Sequence, residues 1–333
     1  MKDAMVLRNG LAPYIYTAVR KAYDTGIGLL RPMYYAFPEA EESYGFQATQ
    51  YMFGDDMLVA PITEAAPAPV NASLKKAVWL PEGTWTDWVR QVSASNQPGN
   101  CSSLTHMPLC CYPPQYGENT YVGPLVLNQS YSHADVPVFV RASAVVPMKT
   151  IADVASSSPS TIVWVLFPRA SPPPLADGKI SGGEMYEDDG ETTAAKTEAP
   201  GSGTHSAVTS VTWVGSCAAG ERLELTISTR GTHRAMIATR KHALQLRGCK
   251  VPPRTATVNG QDIGATTHSV GALATGNAKG AANHTIIEPT GDLGWTLSLP
   301  RDSSRSLVTG AEALHIGLGQ HVARTLVRVQ IEF

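Results

Sequence analysis

The amino-acid sequence predicts a mainly β protein, in which a short helix and strand are followed by two antiparallel β-sandwiches. Glycine and proline are abundant, with 29 and 24 residues in a chain of 333. From residue 56 onward, short runs of β-branched and aromatic residues alternate with Pro, Gly and Asn turns, and their apolar positions recur with a period of two. Both observations favour turn-rich β architecture over helices.

Residues 3–25 have the pattern of an amphipathic helix, with apolar side chains at steps of three and four. Pro13 interrupts this pattern because it removes a backbone donor, so we expect two pieces, 1–10 and 13–25. The tyrosines of this stretch could form a sugar-stacking platform, but aromatic residues at helical spacing are more typical of a core. We therefore interpret as core residues Tyr14, Tyr16 and Tyr23.

Two apolar runs, 29–37 and 56–62, are too short for helices and are predicted to be strands. The first run is nearly continuous rather than alternating, which is typical of a strand buried on both faces in the parallel sheet of an α/β barrel. Arg31 lies at the start of this strand, where a charged residue indicates a structural role. We expect it to form a buried ion pair, with Asp55 as a candidate partner.

Residues 56–150 are predicted to form the first sandwich. Within it the turn at 81–85 is interpreted as a tight connection between two strands, and residues 91–123 as a long surface loop whose function the sequence does not reveal. Its predicted strands are 57–62, 76–80, 85–89, 125–130 and 136–146.

Residues 151–333 are predicted to form the second sandwich, after a compositional break at 150–160. The acidic stretch 185–193 is interpreted as a turn, and the Gly/Ala/Thr-rich segment 265–283 as flexible. The predicted strands are 161–167, 207–214, 222–229, 234–239 and 326–333. The expected domains are therefore 1–55, 56–150 and 151–333.

Composition excludes several classes of function. Charged residues make up 16% of the chain and the net charge is −2, so there is no basic footprint for nucleic acid or an anionic membrane. No apolar window approaches the roughly 20 residues that span a bilayer. The first residues lack the apolar centre of a signal peptide, because Asp3, Arg8 and Asn9 lie there.

Two features nevertheless point to the secretory pathway. Acceptor tripeptides for N-glycosylation occur at Asn71, Asn100, Asn128 and Asn283. Five cysteines are present, and Cys101 could form a disulfide with Cys110 or with its neighbour Cys111. We interpret Cys217 and Cys249 as small buried apolar residues.

The acidic residues do not form an obvious catalytic pair. Asp55 and Asp56 are adjacent in sequence and would point to opposite faces of a strand, so we interpret them as structural turn residues. Glu187, Asp188 and Asp189 precede Gly190, and this turn could either be solvated or hold a calcium ion. No zinc spacing, nucleophile elbow or nucleotide-binding loop is present, and no cofactor is expected.

Five blocks in order resemble the carboxyl-terminal part of glycoside hydrolase family 31, the α-glucosidase and α-xylosidase family. They are LAPYIYTAVRKAYDTGIGLLRPMYYAFPE, QYMFGDDMLVAPI, VWLPEGTWTDW, DVPVFVRASAVVP and MYEDDGETT. The resemblance implies that residues 1–55 are the last helix and strand of a catalytic (β/α)8 barrel. It also implies a parent enzyme that hydrolyses terminal α-linked glucose of oligosaccharides with retention, through two aspartates.

None of the family's catalytic motifs occurs in this sequence, which has no W-x-D-M or W-x-D-x-N-E block. We therefore expect no catalytic residue in this chain and no activity of the chain alone. One alternative is a non-catalytic carbohydrate-binding or scaffolding protein with tryptophans on an exposed sheet face, and another is a truncated gene product. If the barrel residues are orphaned, deletion of about the first 45 residues should improve solubility and leave the sandwiches unchanged.

Overall fold

A computed structural model describes residues 2–64, 74–88, 120–131, 135–150, 158–168, 181–247, 249, 253–262, 294–298, 313–322 and 326–333. The helices are α1 (Lys2–Gly10), α2 (Ala12–Thr25), α3 (Met33–Ala36) and α4 (Glu42–Gly45), and Ala194–Thr197 forms a 3₁₀ turn. The first strands are β1 (Leu30–Pro32), β2 (Tyr51–Phe53), β3 (Met57–Val59), β4 (Leu74–Asp87), β5 (Thr120–Tyr131), β6 (Val138–Arg141), β7 (Val145–Lys149), β8 (Thr161–Leu166) and β9 (Ser181–Asp188). They are followed by β10 (Ser206–Gly215), β11 (Arg222–Thr232), β12 (Thr239–Arg247), β13 (Thr255–Val258), β14 (Gln261–Asp262), β15 (Gly294–Ser298), β16 (Ala313–Val322) and β17 (Val327–Glu332).

The strands form three sheets, which we call near, middle and far. The near sheet has the order β1-β2-β3-β6-β4-β5, the middle sheet β15-β16-β12-β8-β7, and the far sheet β14-β13-β17-β11-β10-β9. Among the pairs of strands that the structure describes, β8 and β12 run parallel and the others antiparallel. The predicted mainly β, antiparallel fold class is confirmed.

The middle sheet is buried on both faces. Along β8, Ile162 and Trp164 join a cluster shared with the far sheet, whereas Val163 and Val165 join a cluster shared with the near sheet. Successive side chains of a strand point to opposite faces, so a strand covered on both sides has to be apolar at every position. This requirement explains the uninterrupted apolar run of β8.

The amino-terminal helices pack into the layer between the near and middle sheets. Leu11 and Tyr14 belong to that cluster, together with Val146 and Phe167. The hydroxyl group of Tyr14 donates a hydrogen bond to the carbonyl of Phe53 at 2.9 Å. A Cβ at Gly54, which has φ of +68°, would lie 2.1 Å from that hydroxyl oxygen, so only glycine permits the contact.

The predicted break in the helix at Pro13 is confirmed, because α1 ends at Gly10 and Pro13 lies in the first turn of α2. The interpretation of the three tyrosines as core is correct for Tyr14 only. Tyr16 and Tyr23 are exposed.

The prediction of a doubly buried strand over residues 29–37 is wrong. Only Leu30–Pro32 forms a strand, which pairs antiparallel with β2 at the edge of the near sheet, and α3 follows directly. Met33 is fully buried, but Leu30 and Tyr35 are 61% and 56% exposed. Most of the apolar residues of this run that we expected in a core therefore lie on a surface. An edge strand has a neighbouring strand on one side only, so its other side stays uncovered.

The turn predicted at residues 81–85 is also wrong, because β4 runs through it as one continuous strand. The pairing of β4 with β5 shifts register between Leu80 and Gly83, which is a β-bulge. Gly83 takes φ of +121° there. The predicted loop 91–123 lies outside the described residues apart from its last four, which begin β5.

Strand pairing crosses both predicted domain boundaries. β2 pairs with β3 across residue 55, and β7 pairs with β8 across residue 150. The division into 1–55, 56–150 and 151–333 stays a prediction. The predicted strand 234–239 is wrong, because β11 ends at Thr232 and the next strand begins at Thr239.

Cys217 and Cys249 form a disulfide, which corrects their interpretation as unpaired buried residues. Both half-cystines lie in the cluster between the middle and far sheets. The sequence did not reveal this pair because Cys217 and Cys249 are 32 residues apart, with two strand regions between them. Cys101 and Cys110 lie outside the described residues.

Among the glycosylation sites, Asn128 is exposed on β5, the edge strand of the near sheet. Asn71, Asn100 and Asn283 lie outside the described residues, as does the segment 265–283. In the described part of the chain, no helix has the length and apolar character needed to cross a membrane.

We predict that the double variant Cys217→Ser, Cys249→Ser loses roughly 3 to 4 kcal/mol of unfolding free energy. The disulfide closes a loop between cysteines 32 residues apart, and its loss increases the conformational entropy of the unfolded chain. Urea unfolding of the oxidised protein and the variant measures the difference. Equal midpoints for the two proteins would contradict the prediction.

Candidate functional site

The end of β9 and the turn after it, residues 185–192, contact helix α2, the middle sheet and the loop after β11. We call this stretch the acidic segment. Met185 and Glu187 point inward, since Met185 lies in the cluster between the middle and far sheets and Glu187 is buried. Tyr186 and Asp188, on the opposite face of the strand, contact α2. The period-two alternation of a strand therefore gives neighbouring residues different partners.

Arg20 is the main polar link between α2 and the acidic segment. Its Nη1 donates to the Tyr186 hydroxyl and to the Ala195 carbonyl, both at 2.8 Å, and its Nη2 donates to the Glu198 carbonyl at 3.0 Å. The guanidinium carbon also lies 4.9 Å from the centre of the Tyr186 ring. Asp24, one helical turn on, accepts from Nε and completes the set of partners.

Tyr16 and Thr17 add two further contacts at this junction. The Tyr16 hydroxyl donates to both oxygens of Asp188, at 2.7 and 2.9 Å, and the Tyr186 backbone N–H donates to Thr17 Oγ1 at 2.9 Å. Burial, followed by the hydrogen bond to Asp188 and the charge of its carboxylate, raises the pKa of Tyr186 to about 12. Both tyrosines therefore remain neutral donors at physiological pH.

Glu187 forms a bidentate ion pair with Arg240 of β12. The two nitrogen–oxygen distances are 2.7 and 2.6 Å, and the side chains are 4% and 1% exposed. Arg240 also donates to the Pro159 carbonyl and to Ser158 Oγ. The pair joins the far sheet to the middle sheet, and the extra hydrogen bonds satisfy the remaining donors of the buried guanidinium.

Asp189 closes the turn after β9. It accepts hydrogen bonds from the backbone N–H groups of Glu191 and Thr192 and from the Thr192 hydroxyl. These bonds, first those from Thr192, hold the pKa of Asp189 well below its usual range. Arg234 Nε lies 2.9 Å from Asp189 Oδ2, and the Arg234 guanidinium also pairs with Glu191.

The carboxylates of the acidic segment therefore point to separate protein partners. Within the described ranges, no group of three or more His, Cys, Asp and Glu side chains is arranged to hold a metal ion. The predicted calcium site at Glu187, Asp188 and Asp189 stays an untested prediction. In this structure the three side chains serve as structural acceptors.

A cleft of about 440 Å³ lies beside the acidic segment. Three separate stretches of the far-sheet region form its walls, namely the turn after β9, the approach to β10 and the end of β11. His233 is buried in this wall, and neither of its ring nitrogens has a hydrogen-bond partner among the described residues. The lining residues are Asp189, Thr192, Ala194, Thr204, His205, Thr232, His233 and Arg234.

The second acidic pair, Asp55 and Asp56, also has a structural environment. Asp55 accepts from Arg31 at 2.8 Å and from Lys21, so the predicted partner of Arg31 is confirmed. The predicted burial of the pair is wrong, because the Asp55 side chain is 47% exposed. Burial opposes ionisation of Asp55, but the bonds from Lys21 and Arg31 outweigh it and lower its pKa. Burial and the adjacent Asp55 charge instead raise the pKa of Asp56 to about 6.

The tryptophans do not provide an exposed platform for a sugar ring. Trp79, Trp85, Trp88, Trp164 and Trp213 are all at least 97% buried. This finding agrees with the interpretation of strand tryptophans as core residues. The side chain of Trp295 lies outside the part of the chain whose burial is described.

The sequence pattern indicates the acidic segment but not its partners, and it predicts a turn where residues 185–188 are the end of β9. In the sequence, Arg20 is recognisable only as a basic residue near the end of a helix. Arg240 lies in the stretch TRKHALQLR, whose pattern does not predict a strand. The cleft depends on residues 189–194, 204–205 and 232–234, which no local pattern connects. Such contacts follow from the order of strands in the sheets, and no local sequence pattern gives that order.

Comparison with known proteins finds similarity to the carboxyl-terminal part of carbohydrate-active enzymes. Residues 26–146 match the family model of the glycosyl hydrolase family 31 C-terminal domain. A 1,6-α-glucosyltransferase of Sporosarcina globispora is 30% identical over 192 residues, which is 57% of this chain and 12% of that protein. An α-glucosidase of Aspergillus oryzae is 26% identical over 190 residues, or 57% of this chain and 16% of that protein.

The likeness extends to solved structures. A Flavobacterium johnsoniae family 31 dextranase, in complex with isomaltotriose, superposes with a TM-score of 0.65 at 18% identity, over 98% of this chain and 32% of that one. This likeness supports the fold. The resemblance to the carboxyl-terminal part of the family is confirmed, and the chain spans only a minor part of the relatives it matches.

We predict that Arg20→Met costs about 1 to 3 kcal/mol of unfolding free energy, because two carbonyl groups and a hydroxyl in partly buried hydrogen bonds lose their charged donor. Arg20→Lys should recover only part of this loss, since an ammonium group cannot reproduce the planar fork. Chemical unfolding followed by circular dichroism measures both variants. Arg8→Met, on the exposed surface of α1, is the control and should change stability by less than about 0.5 kcal/mol.

We also predict a pH dependence that originates at Asp56. Its pKa in the folded protein, about 6, lies above the ordinary value of 3.8. Between these two values the folded state holds a proton that the unfolded state has released, so stability falls as pH rises from about 4 to 6. Relative to Asp56→Asn, the unfolding free energy of the wild type should fall by on the order of 1 to 3 kcal/mol across this window.

Asp55→Asn is the companion variant for this measurement. Because the Asp55 charge contributes to the raised pKa of Asp56 after burial, its removal should shrink the fall in stability between pH 4 and 6 without abolishing it. The lowered pKa of Asp55 gives the opposite sign, with a stabilising contribution that is lost only as pH falls below about 4. If the difference between wild type and Asp56→Asn were constant from pH 4 to 6.5, Asp56 would not carry the predicted shift.

Proposed function

We propose, on the premise that residues 26–146 are a glycosyl hydrolase family 31 C-terminal domain, that this chain is the carboxyl-terminal part of an α-glucosidase-type enzyme. The parent enzyme hydrolyses terminal α-glucosidic bonds of oligosaccharides with retention, through a pair of carboxylates. Residues 1–55 then form the end of the catalytic (β/α)8 part, and 56–150 and 151–333 its proximal and distal β-sandwich domains.

The observation that carries this proposal is the exposed apolar surface that follows helix α2. We call it the aromatic face, and its members are Leu30, Tyr34, Tyr35 and Tyr44, each at least 37% exposed. Tyr34 and Tyr44 stack with ring centres 5.8 Å apart. Exposed apolar side chains on the neighbouring elements β1, α3 and α4 indicate a protein interface, and the rest of the catalytic barrel is the partner we assign to it.

In this account the chain braces the barrel and does not perform catalysis. The sequence contains none of the nucleophile motifs of the family, and the described carboxylates of the acidic segment serve as acceptors within the fold. Fold alone does not imply activity. The substrate of the parent enzyme, an α-linked oligosaccharide, would bind to the catalytic part.

We further propose a secretory location. The disulfide between Cys217 and Cys249 requires an oxidising compartment to persist, and the exposed Asn128 on β5 is accessible for a glycan. A carbohydrate-binding protein without catalysis, or a truncated gene product, remains the alternative. The burial of five tryptophans argues against a binding surface built on them.

We predict that the chain alone does not hydrolyse 4-nitrophenyl α-glucoside, and that it restores activity to a family 31 catalytic part that lacks its own matching segment. The paired substitution Leu30→Lys, Tyr35→Lys should abolish this restoration, because two charges would be buried at the interface. Co-purification and initial rates measure the two effects. Tyr23→Lys, at another exposed tyrosine, is the control and should leave restoration intact.

Hydrolysis by the purified chain alone would contradict the proposal. So would restoration of equal activity by the Leu30→Lys, Tyr35→Lys variant, because the aromatic face would then not be the contact surface.

A further inference from the structure

We propose that the cleft beside the acidic segment is a binding site for a neutral, hydroxyl-rich ligand, and specifically for a glucosyl unit of an α-linked oligosaccharide. The choice of sugar depends on the proposed function, whereas the class of ligand follows from the cleft itself.

The size and walls of the cleft suit a small molecule. Its volume of about 440 Å³ falls within the range of small-molecule pockets. Its walls come from three stretches that the sheet holds in place, since β9, β10 and β11 are neighbours in the far sheet. The walls of such a cleft are largely formed before a ligand arrives, but the His233 ring nitrogens are buried, so a ligand reaches them only when that side chain turns toward the cleft.

His233 is the strongest sign that the cleft takes a polar ligand. The residue is only 4% exposed, and neither ring nitrogen bonds to any described group. An unsatisfied buried polar group is costly, so native proteins rarely retain one without a partner. Burial lowers the pKa of His233 despite the nearby carboxylates of Glu187, Asp188 and Asp189, and the Arg240 charge acts in the same direction as burial.

A neutral imidazole offers one donor and one acceptor. Two separate hydroxyl groups can satisfy them, one accepting from the ring N–H and one donating to the other nitrogen, because the two nitrogens point to different sides of the ring. Thr204 and Thr232 bring two more hydroxyl groups to the lining. The hydroxyl group of Thr232 makes a long contact of 3.6 Å to the sulfur of Met236.

The charges of the cleft argue against an ionic ligand. Arg234, its cationic wall residue, is already paired with Asp189 and Glu191. Asp189 in turn accepts three hydrogen bonds from Glu191 and Thr192, which leaves little capacity for a cation. An anion would meet the carboxylate of Asp189, which lines the cleft. A neutral ligand with several hydroxyl groups fits this environment best.

The test is isothermal titration calorimetry of the full 333-residue chain with maltose and with isomaltose. We expect saturable binding of at least one of the two sugars in the millimolar range. Thr204→Val, at an exposed position that the fold does not need, should weaken binding on the order of fivefold through the loss of one hydrogen bond. His233→Leu should weaken it further, and circular dichroism establishes whether that variant is folded.

Thr120→Val is the control, since it makes the same substitution at an exposed position of β5 in the near sheet and should not change the affinity. Absence of saturable binding to both sugars would overturn the inference, as would unchanged affinity in Thr204→Val and a folded His233→Leu. Competition by inorganic phosphate would also overturn it, because it would identify an anion site. The outcome is independent of whether the chain restores activity to a catalytic part, so the two proposals fail separately.

Discussion

The buried ion pair between Glu187 and Arg240 is the constraint on which the arrangement of this molecule depends. Two charges removed from water require each other and further hydrogen bonds, so the far and middle sheets have to meet at one position and in one register. Because side chains alternate along β9, fixing Glu187 inward also fixes Tyr186 and Asp188 outward, toward α2. One ion pair thereby sets the position of the amino-terminal helix as well.

The same packing argues against the interpretation of residues 1–45 as a dispensable segment. Their sequence suggests a barrel remnant that could be deleted, but Leu11 and Tyr14 lie in the cluster between the near and middle sheets, and Arg20 holds the turn after β9. Removal of α2 would expose that cluster and leave carbonyl groups without donors. We now regard α2 as an integral part of the β-rich core, and only the aromatic face on β1, α3 and α4 as a surface that needs an external partner.

The sequence predicted what depends on local pattern. The break at Pro13, the strand over residues 161–166 and the pairing of Arg31 with Asp55 follow from backbone chemistry, periodicity and charge. It could not predict that the apolar run at residues 29–37 forms an edge, because an exposed interface and a core have the same composition. Nor could it find the Cys217–Cys249 disulfide, the partner of Glu187 or the cleft at His233, since each joins residues that only the order of strands brings together.

We propose that this chain completes a larger α-glycosidase, whose catalytic carboxylates lie in another part of the same protein. Sequencing of the transcript upstream of the Met1 codon tests it most directly. The account predicts an open reading frame that continues into a (β/α)8 barrel with a W-x-D nucleophile block. An in-frame stop codon immediately upstream would contradict it, and the chain would then have to function without catalytic residues of that family.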